Sequence, residues 1–227
     1  MRLALIFVLA VAIASAQEFV DRVVASVNGN PVLWSDVEDE VRLDALLDGR
    51  PASEVTPAQR NAALDRLVDN ELLAQQVGAA NSDENAPAQQ EEVDREVRDL
   101  RAERNASDTT DWDRLLKQDA VTEQDLRAKL LRQVQLLQFV NMRFRPGTQV
   151  SEAEIERFYN DVFIPEMKKR GAPVSSLASV QESIEKILIE QKVNAALDQY
   201  LQVLRGGARI WKSAPFATAQ AKAEGKN

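Results

Sequence analysis

Val23, Ala25 and Val27 alternate with Val24 and Ser26, the period-two pattern of a short strand. Asn28-Gly29-Asn30 supplies residues that tolerate positive φ, so a tight reversal is expected there. Pro31-Val32-Leu33 reads as the return strand, with Pro31 at its start, where a missing N–H does least harm. Ser35-Asp36-Val37-Glu38 has the spacing of a capping box and predicts a helix over about 35–47, stopped by Asp48-Gly49-Arg50-Pro51. A two-stranded hairpin is marginal in water, so another part of the chain must complete it.

Helical periodicity then takes over. Thr56-Pro57-Ala58-Gln59 opens a helix with Thr as cap and Pro at the first position, and Leu64, Leu67, Val68, Leu72 and Leu73 form its apolar stripe to near Gly78. Residues 81–86 are a polar break. From 87 to 105 the chain is almost entirely charged or amide, with Val93, Val97 and Leu100 as a thin apolar face on a solvated helix. A cap region at 108–111 precedes a short helix over 112–118. Thr122 caps what reads as the longest helix, to about 145, with Leu126, Leu130, Val134, Leu137, Val140 and Phe144 on one face and Leu131, Leu136 and Phe139 widening it. Pro146-Gly147 ends it. Ser151-x-x-Glu154 is a second box, opening a helix carrying Ile155, Phe158, Tyr159 and Val162 that breaks near Pro165 or frays before Gly171. Ser179-x-x-Glu182 is a third, opening a helix to about 204 with Val180, Ile184, Ile187, Leu188, Leu197, Leu201 and Leu204 inward and Gly206-Gly207 as its stop. The piece 208–211 is strand-like, and its economical place is the edge of the hairpin. The expected fold is mainly α, with a small sheet formed by the N-terminal hairpin and a C-terminal strand.

Composition removes whole classes of chemistry. Among 227 residues there is no cysteine, which excludes disulfides, thiolate nucleophiles and Cys-ligated metal, and no histidine, the commonest general base and metal ligand. The formal net charge of −8 has no basic stripe to offset it, so nucleic acid is not an expected partner. No Ser-x-x-Lys, Gly-x-Ser-x-Gly or phosphate loop occurs. The carboxylate groups Asp36/Glu38/Asp39/Glu40, Glu91/Glu92 and Asp111/Asp113 sit at predicted helix starts, where they stabilise exposed N–H groups. No catalytic residue, metal site or cofactor is expected. Residues 1–16 read as a signal peptide: Arg2, an apolar run over 3–13, and a small-x-small site at Ala14-Ser15-Ala16, with cleavage after Ala16. The mature chain is expected to be exported and soluble, without stable membrane insertion, and the stretch 212–227 has the low complexity of a disordered tail.

Four segments carry a resemblance: DRVVASVNGNPVLWSDVE from Asp21, LVDNELLAQQ from Leu67, SEAEIERFYND from Ser151 and LIEQKVNAALDQYLQVLRGGARIW from Leu188. In wording and in order they resemble the SurA-type periplasmic chaperones, the group that includes PpiD and PrsA. The third segment is similar to the one that leads into a parvulin-type prolyl isomerase domain, and the fourth to the helix and strand that return after it. Only residues 164–179 connect them here, and the histidines typical of parvulin sites are missing. The chain therefore resembles a family member reduced to its chaperone module, expected over 17–211.

The resemblance implies an ATP-independent periplasmic holdase whose clients are unfolded or extended outer-membrane β-barrel proteins in transit, without isomerase activity. Surplus apolar surface supports such a role from the residues alone. Trp34, Trp112, Phe139, Met142, Phe144 and Phe163 lie near helix ends or on wide apolar faces, and flexible or aromatic groups of this kind repack around different partners. Trp112, Phe139, Met142, Phe144 and Phe163 are the client-binding candidates. The alternative is a non-catalytic subunit that binds one folded partner of the cell envelope.

Overall fold

The computed structural model describes residues 21–51, 55–77 and 86–214. The expected signal peptide, most of the polar break after Gly78 and all but the first residues of the expected tail lie outside the described residues.

Strands β1 (Val23–Val27) and β2 (Asn30–Leu33) form the antiparallel hairpin, turning through Asn28 and Gly29 at φ +55° and +98°. These paired left-handed residues match the twist that a two-residue hairpin loop requires. β3 (Ile210–Lys212) pairs antiparallel with the other side of β1, giving the order β2-β1-β3, so the two ends of the chain do close one sheet. Lys212, read as the start of the tail, is instead a strand residue held by an ion pair to Asp65. Between these strands run α1 (Trp34–Asp48), α2 (Pro57–Val77), α3 (Ala86–Glu103), α4 (Thr109–Gln118), α5 (Glu123–Phe144), α6 (Glu152–Phe158), α7 (Ile164–Lys169) and α8 (Leu177–Gly207). The fold is mainly α, with one small antiparallel sheet.

Three expected helix starts form as read. Thr56 and Gln59 exchange hydrogen bonds at the head of α2, Thr122 and Asp125 at α5, and Ser151 and Glu154 at α6. The start at Ser35 is different. The helix begins at Trp34, the Asp36 carboxylate accepts the Leu33 N–H at 2.7 Å, and the Ser35 hydroxyl donates to Asp21. Strand β2 runs straight into the helix, so Leu33 rather than Ser35 is the boundary. The Ser179 start is also earlier: α8 opens after Ser176, and the Ser179 hydroxyl donates back to the Ser176 carbonyl at 2.7 Å. At 31 residues α8, not the 22-residue α5, is the longest helix, and it runs through Gly206 and Gly207 before Ala208 turns extended.

Pro165 does not break the chain's helical path. A π-type turn over Tyr159–Phe163 carries α6 into α7. Proline lacks an N–H for the ordinary i−4 bond and its ring crowds that carbonyl, and a wider turn just before it relieves both problems.

The apolar side chains gather in three clusters. Val24, Ala25, Val27, Val32, Val37, Val41, Leu64 and Val68 join the sheet to α1 and α2, with Leu204 and Ile210 against them. Leu43, Leu46, Val97, Leu100, Trp112, Leu116, Leu126 and Leu130 join α1, α3, α4 and the first half of α5. Leu73, Val77, Phe139, Val140 and Val193 join α2, the second half of α5 and α8. Each fully buried Val or Leu contributes about 1.5–3 kcal/mol relative to exposure. A buried ionic group ties the first two clusters together: Lys129 of α5 reaches Glu40 and Asp44 of α1, and Arg66 of α2 also pairs with Asp44.

Candidate polypeptide-binding surface

The apolar face of α5 is covered by different neighbours along its length. Its first half buries Leu126 and Leu130 in the cluster with α1, α3 and α4, and Lys129 against Glu40 and Asp44 of α1, whereas its second half buries Phe139 and Val140 against α8 and α2. The two sets differ in which neighbours cover them, since the α3–α4 cluster covers the start of α5 and the α2–α8 cluster its end. Leu137, expected inside and on the same stripe as Leu126 and Leu130, is left 59 % exposed beyond Val134, the last α5 residue packed on the α3–α4 cluster. Ile187 of α8, also expected inside, is exposed, as are Met142 and Val203.

Next to Met142 in sequence, the aromatic candidates form a partly open cluster. The Phe139 and Tyr200 ring centroids are 6.4 Å apart, and Phe144 meets Tyr200 edge-on at 5.6 Å. The Arg143 guanidinium lies 4.6 Å from the Tyr200 ring centre, in cation–π range. Phe139 is buried, Phe144 half-buried and Met142 65 % exposed. Phe163 sits apart from these, stacked on Tyr159 at 5.5 Å with 18° between planes, and Tyr159 donates its hydroxyl proton to the Ser175 carbonyl at 2.8 Å. This turn is fastened to α8 through α6, since Lys192 pairs with Glu154 at 2.7 Å and donates to the Gln149 carbonyl.

Trp112 is the candidate the structure sets furthest from solvent. It is 1 % exposed in the α3–α4–α5 cluster, its indole N–H donates to Glu123 at 2.9 Å, and the Arg101 guanidinium lies over its ring. Hydrogen bonds from Arg127 and then Trp112 hold the Glu123 carboxyl below its ordinary range. With its ring packed and its N–H bonded, Trp112 offers no open surface here.

A cleft of about 430 Å³ lies between β2, α1, α2 and α5, with Val32, Leu43, Leu67, Val77 and Leu136 among its walls and Asp36, Asp39, Asp125 and Arg132 also lining it. Burial raises the Asp39 carboxyl, the neighbouring charges of Asp125 and Asp36 add to this, and Arg42 opposes it. All three carboxylates have structural duties: Asp36 caps α1, Asp39 pairs with Arg42, and Asp125 caps α5. No group of three or more acidic side chains among the described residues is arranged to hold a metal ion. No helix among the described residues is long and apolar enough to cross a membrane. Neither the cleft nor Lys129 was readable beforehand, because they depend on α1 meeting α5 across 85 residues of chain.

Residues 1–140 match the family described as SurA-like N-terminal domain. Over 225 residues the chain is 26% identical to Chaperone SurA of Chromohalobacter salexigens, covering 95% of this chain and 48% of that protein. The chain thus spans about half the length of the curated relative it matches. The matched region takes in the hairpin, α1 to α4 and most of α5, and the chain belongs to the SurA-like N-terminal domain family.

Proposed function

We propose that this chain is an ATP-independent holdase of the periplasm, exported by a signal peptide cleaved after Ala16, that shelters unfolded outer-membrane β-barrel proteins in transit. Residues 17–211 act as one chaperone module. The observation that carries this reading is the apolar exposure along α5, where Leu137 and Met142 are more than half exposed and Phe144 is half-buried. Exposed large apolar groups on a strongly charged protein favour contact with other apolar chains. Membership of a chaperone-related family supports the same role. Phe163, half-buried at the α6–α7 turn, is assigned a client contact as well. Phe139 and Phe144 both meet the Tyr200 ring, and Trp112 acts by holding the lobe together. No isomerase activity is proposed, since the sequence has no histidine for a parvulin-type cluster.

The test is light scattering of a urea-diluted outer-membrane barrel protein, with a prolyl isomerase assay beside it. Suppression near equimolar ratio without isomerase activity is the expected result. Failure to suppress aggregation of several such clients, with a single protein co-purifying in fixed ratio, would shift the assignment to a dedicated binding subunit.

A further inference from the structure

The two outer edges of the sheet are not alike. On β2 the pairing of Val27 with Asn30 next to the turn directs Asn30 and Val32 towards β1, leaving Pro31 and Leu33 to face outward. Pro31 has no N–H, and the Leu33 N–H is already bonded to Asp36. That edge has no free donor. On β3 the parity is fixed by two bonds to β1: the Asn28 N–H to the Arg209 carbonyl at 2.9 Å, and the Ser213 N–H to the Val24 carbonyl at 2.8 Å. Arg209, Trp211 and Ser213 therefore face β1, and the N–H and C=O groups of Ile210 and Lys212 face outward. They have no partner among the described residues.

The side chains around this edge suit an added strand. Ile210 points inward to the sheet cluster and Trp211 outward, where it is 54 % exposed. A strand bonded to Ile210 and Lys212 would place its intervening residue in a non-hydrogen-bonded pair with Trp211, the closer kind of cross-strand contact. We infer that the outer edge of β3 is a strand-addition site, at which an extended segment of an unfolded polypeptide with alternating apolar residues pairs with the Ile210 and Lys212 backbone and sets an apolar side chain against Trp211. The occupant is a client segment and not a second copy of this chain. An edge of three residues is roughly 10 Å long, too short to build the contact area of about 1,000 Å² or more that a stable dimer needs. Short pairing of this kind suits weak, reversible capture. The inference rests on the holdase reading and specifies how that function grips backbone as well as apolar side chains.

The experiment uses the full chain and a capped peptide of alternating threonine and phenylalanine with a lysine at each end. Amide exchange is followed by NMR. Saturating peptide is expected to slow exchange at Ile210 and Lys212 at least tenfold, with little change at Trp211 and Ser213, which β1 already holds. Methylating the threonine nitrogens should weaken binding about tenfold, because those amides pair with β3 when phenylalanine meets Trp211, while methylating only the phenylalanine nitrogens should be tolerated. Lys212→Pro removes one outward donor and should weaken binding several-fold beyond Lys212→Ala, which removes only the ion pair to Asp65. Should Lys212→Pro not fold, the exchange and methylation results decide. Binding that ignores backbone methylation, or protection that grows with protein concentration alone, overturns the inference. Intact suppression of aggregation alongside either result leaves the holdase reading standing, whereas loss of suppression refutes that reading itself.

Discussion

The ammonium of Lys129 on α5 lies 2.7 Å from Oε1 of Glu40 on α1, with both side chains more than nine-tenths buried. The pair sits where the sheet-side cluster meets the α3–α4–α5 cluster, so it fixes how the two halves of α1 and the start of α5 register. Removing Lys129 leaves the buried Glu40 carboxylate, among the described residues, with only the longer contact to Arg66, at 4.0 Å. Lys129→Ala is therefore expected to cost about 3–5 kcal/mol in urea unfolding. Replacing both, Lys129→Met with Glu40→Leu, should restore most of that loss, because Asp44 keeps Arg66 as a partner. Equal losses in the single and double variants would place the cost in packing rather than in the stranded charge.

Gly49 ends α1 at φ +67°, and an added Cβ would collide with the Arg104 guanidinium, which donates to the Leu47 carbonyl. Gly171 has a similar φ of +64° but open space around it. Gly171→Ala should cost about 1 kcal/mol, the left-handed penalty alone. Gly49→Ala should cost about 2 kcal/mol or more, since the Arg104 hydrogen bond to α1 is lost too. Urea midpoints of the two variants compare them directly, and equal shifts would remove Arg104 from the account.

Much of this architecture was legible because its signals are local. The Asn28-Gly29 turn, the Thr56–Gln59 and Ser151–Glu154 boxes, and the need for a third strand all follow from residues within one turn of each other or from the marginality of a lone hairpin. What misled was equally physical. The Ser35 box was overridden by Asp21, which takes the Ser35 hydroxyl from 14 residues away. The α5 stripe was read as wholly inward because periodicity assumes a neighbour along its whole length, whereas two clusters cover it in turn and leave Leu137 outside. Trp112 was read among surplus apolar groups, since its partners Glu123 and Arg101 come from other helices. Size and apolarity select such residues but do not say which are covered.

The closing strand is structural. Ending the chain after Leu204 removes Ile210 from the sheet cluster and opens the second side of β1. It also removes the bidentate Arg205–Asp69 pair that joins α8 to α2. Thermal unfolding by circular dichroism is expected to show loss of the cooperative transition. An unchanged melting profile would contradict the role of β3.

Glu154 gives a pH signature. Hydrogen bonds from Lys192, and from the Ser151 backbone and hydroxyl, lower its carboxyl from 4.5 to about 2. A folded-state value below the unfolded one means that the ionised group stabilises the fold above the unfolded value. That contribution fades as pH falls from 4.5 through about 2. Glu154→Gln should thus melt below the parent chain at neutral pH, with the gap closing in acid. Carbon-detected NMR titration of Glu154 checks the shift itself, and a carboxyl titrating near 4.5 would remove the tie between α6 and α8.

Surface and core roles for the apolar candidates separate by how stability and capture respond. Met142→Ser and Leu137→Ser alter side chains that are 65 % and 59 % exposed, so each should move the unfolding free energy by less than about 0.5 kcal/mol. If α5 carries the client surface, the pair together should require at least about twice as much protein for the same suppression of aggregation, by the loss of exposed apolar contact. Trp112→Ala should behave in the opposite way, costing about 3–5 kcal/mol by opening a cavity in the α3–α4–α5 cluster. Any loss of capture by that variant should disappear at a temperature low enough to keep it folded. Full capture by the Met142/Leu137 double variant would move the client surface off α5, to the stacked Tyr159–Phe163 turn or to Ile187 and Val203 of α8. Serine at Val203, 71 % exposed and distant in sequence from the π-type turn, would then discriminate between those two places.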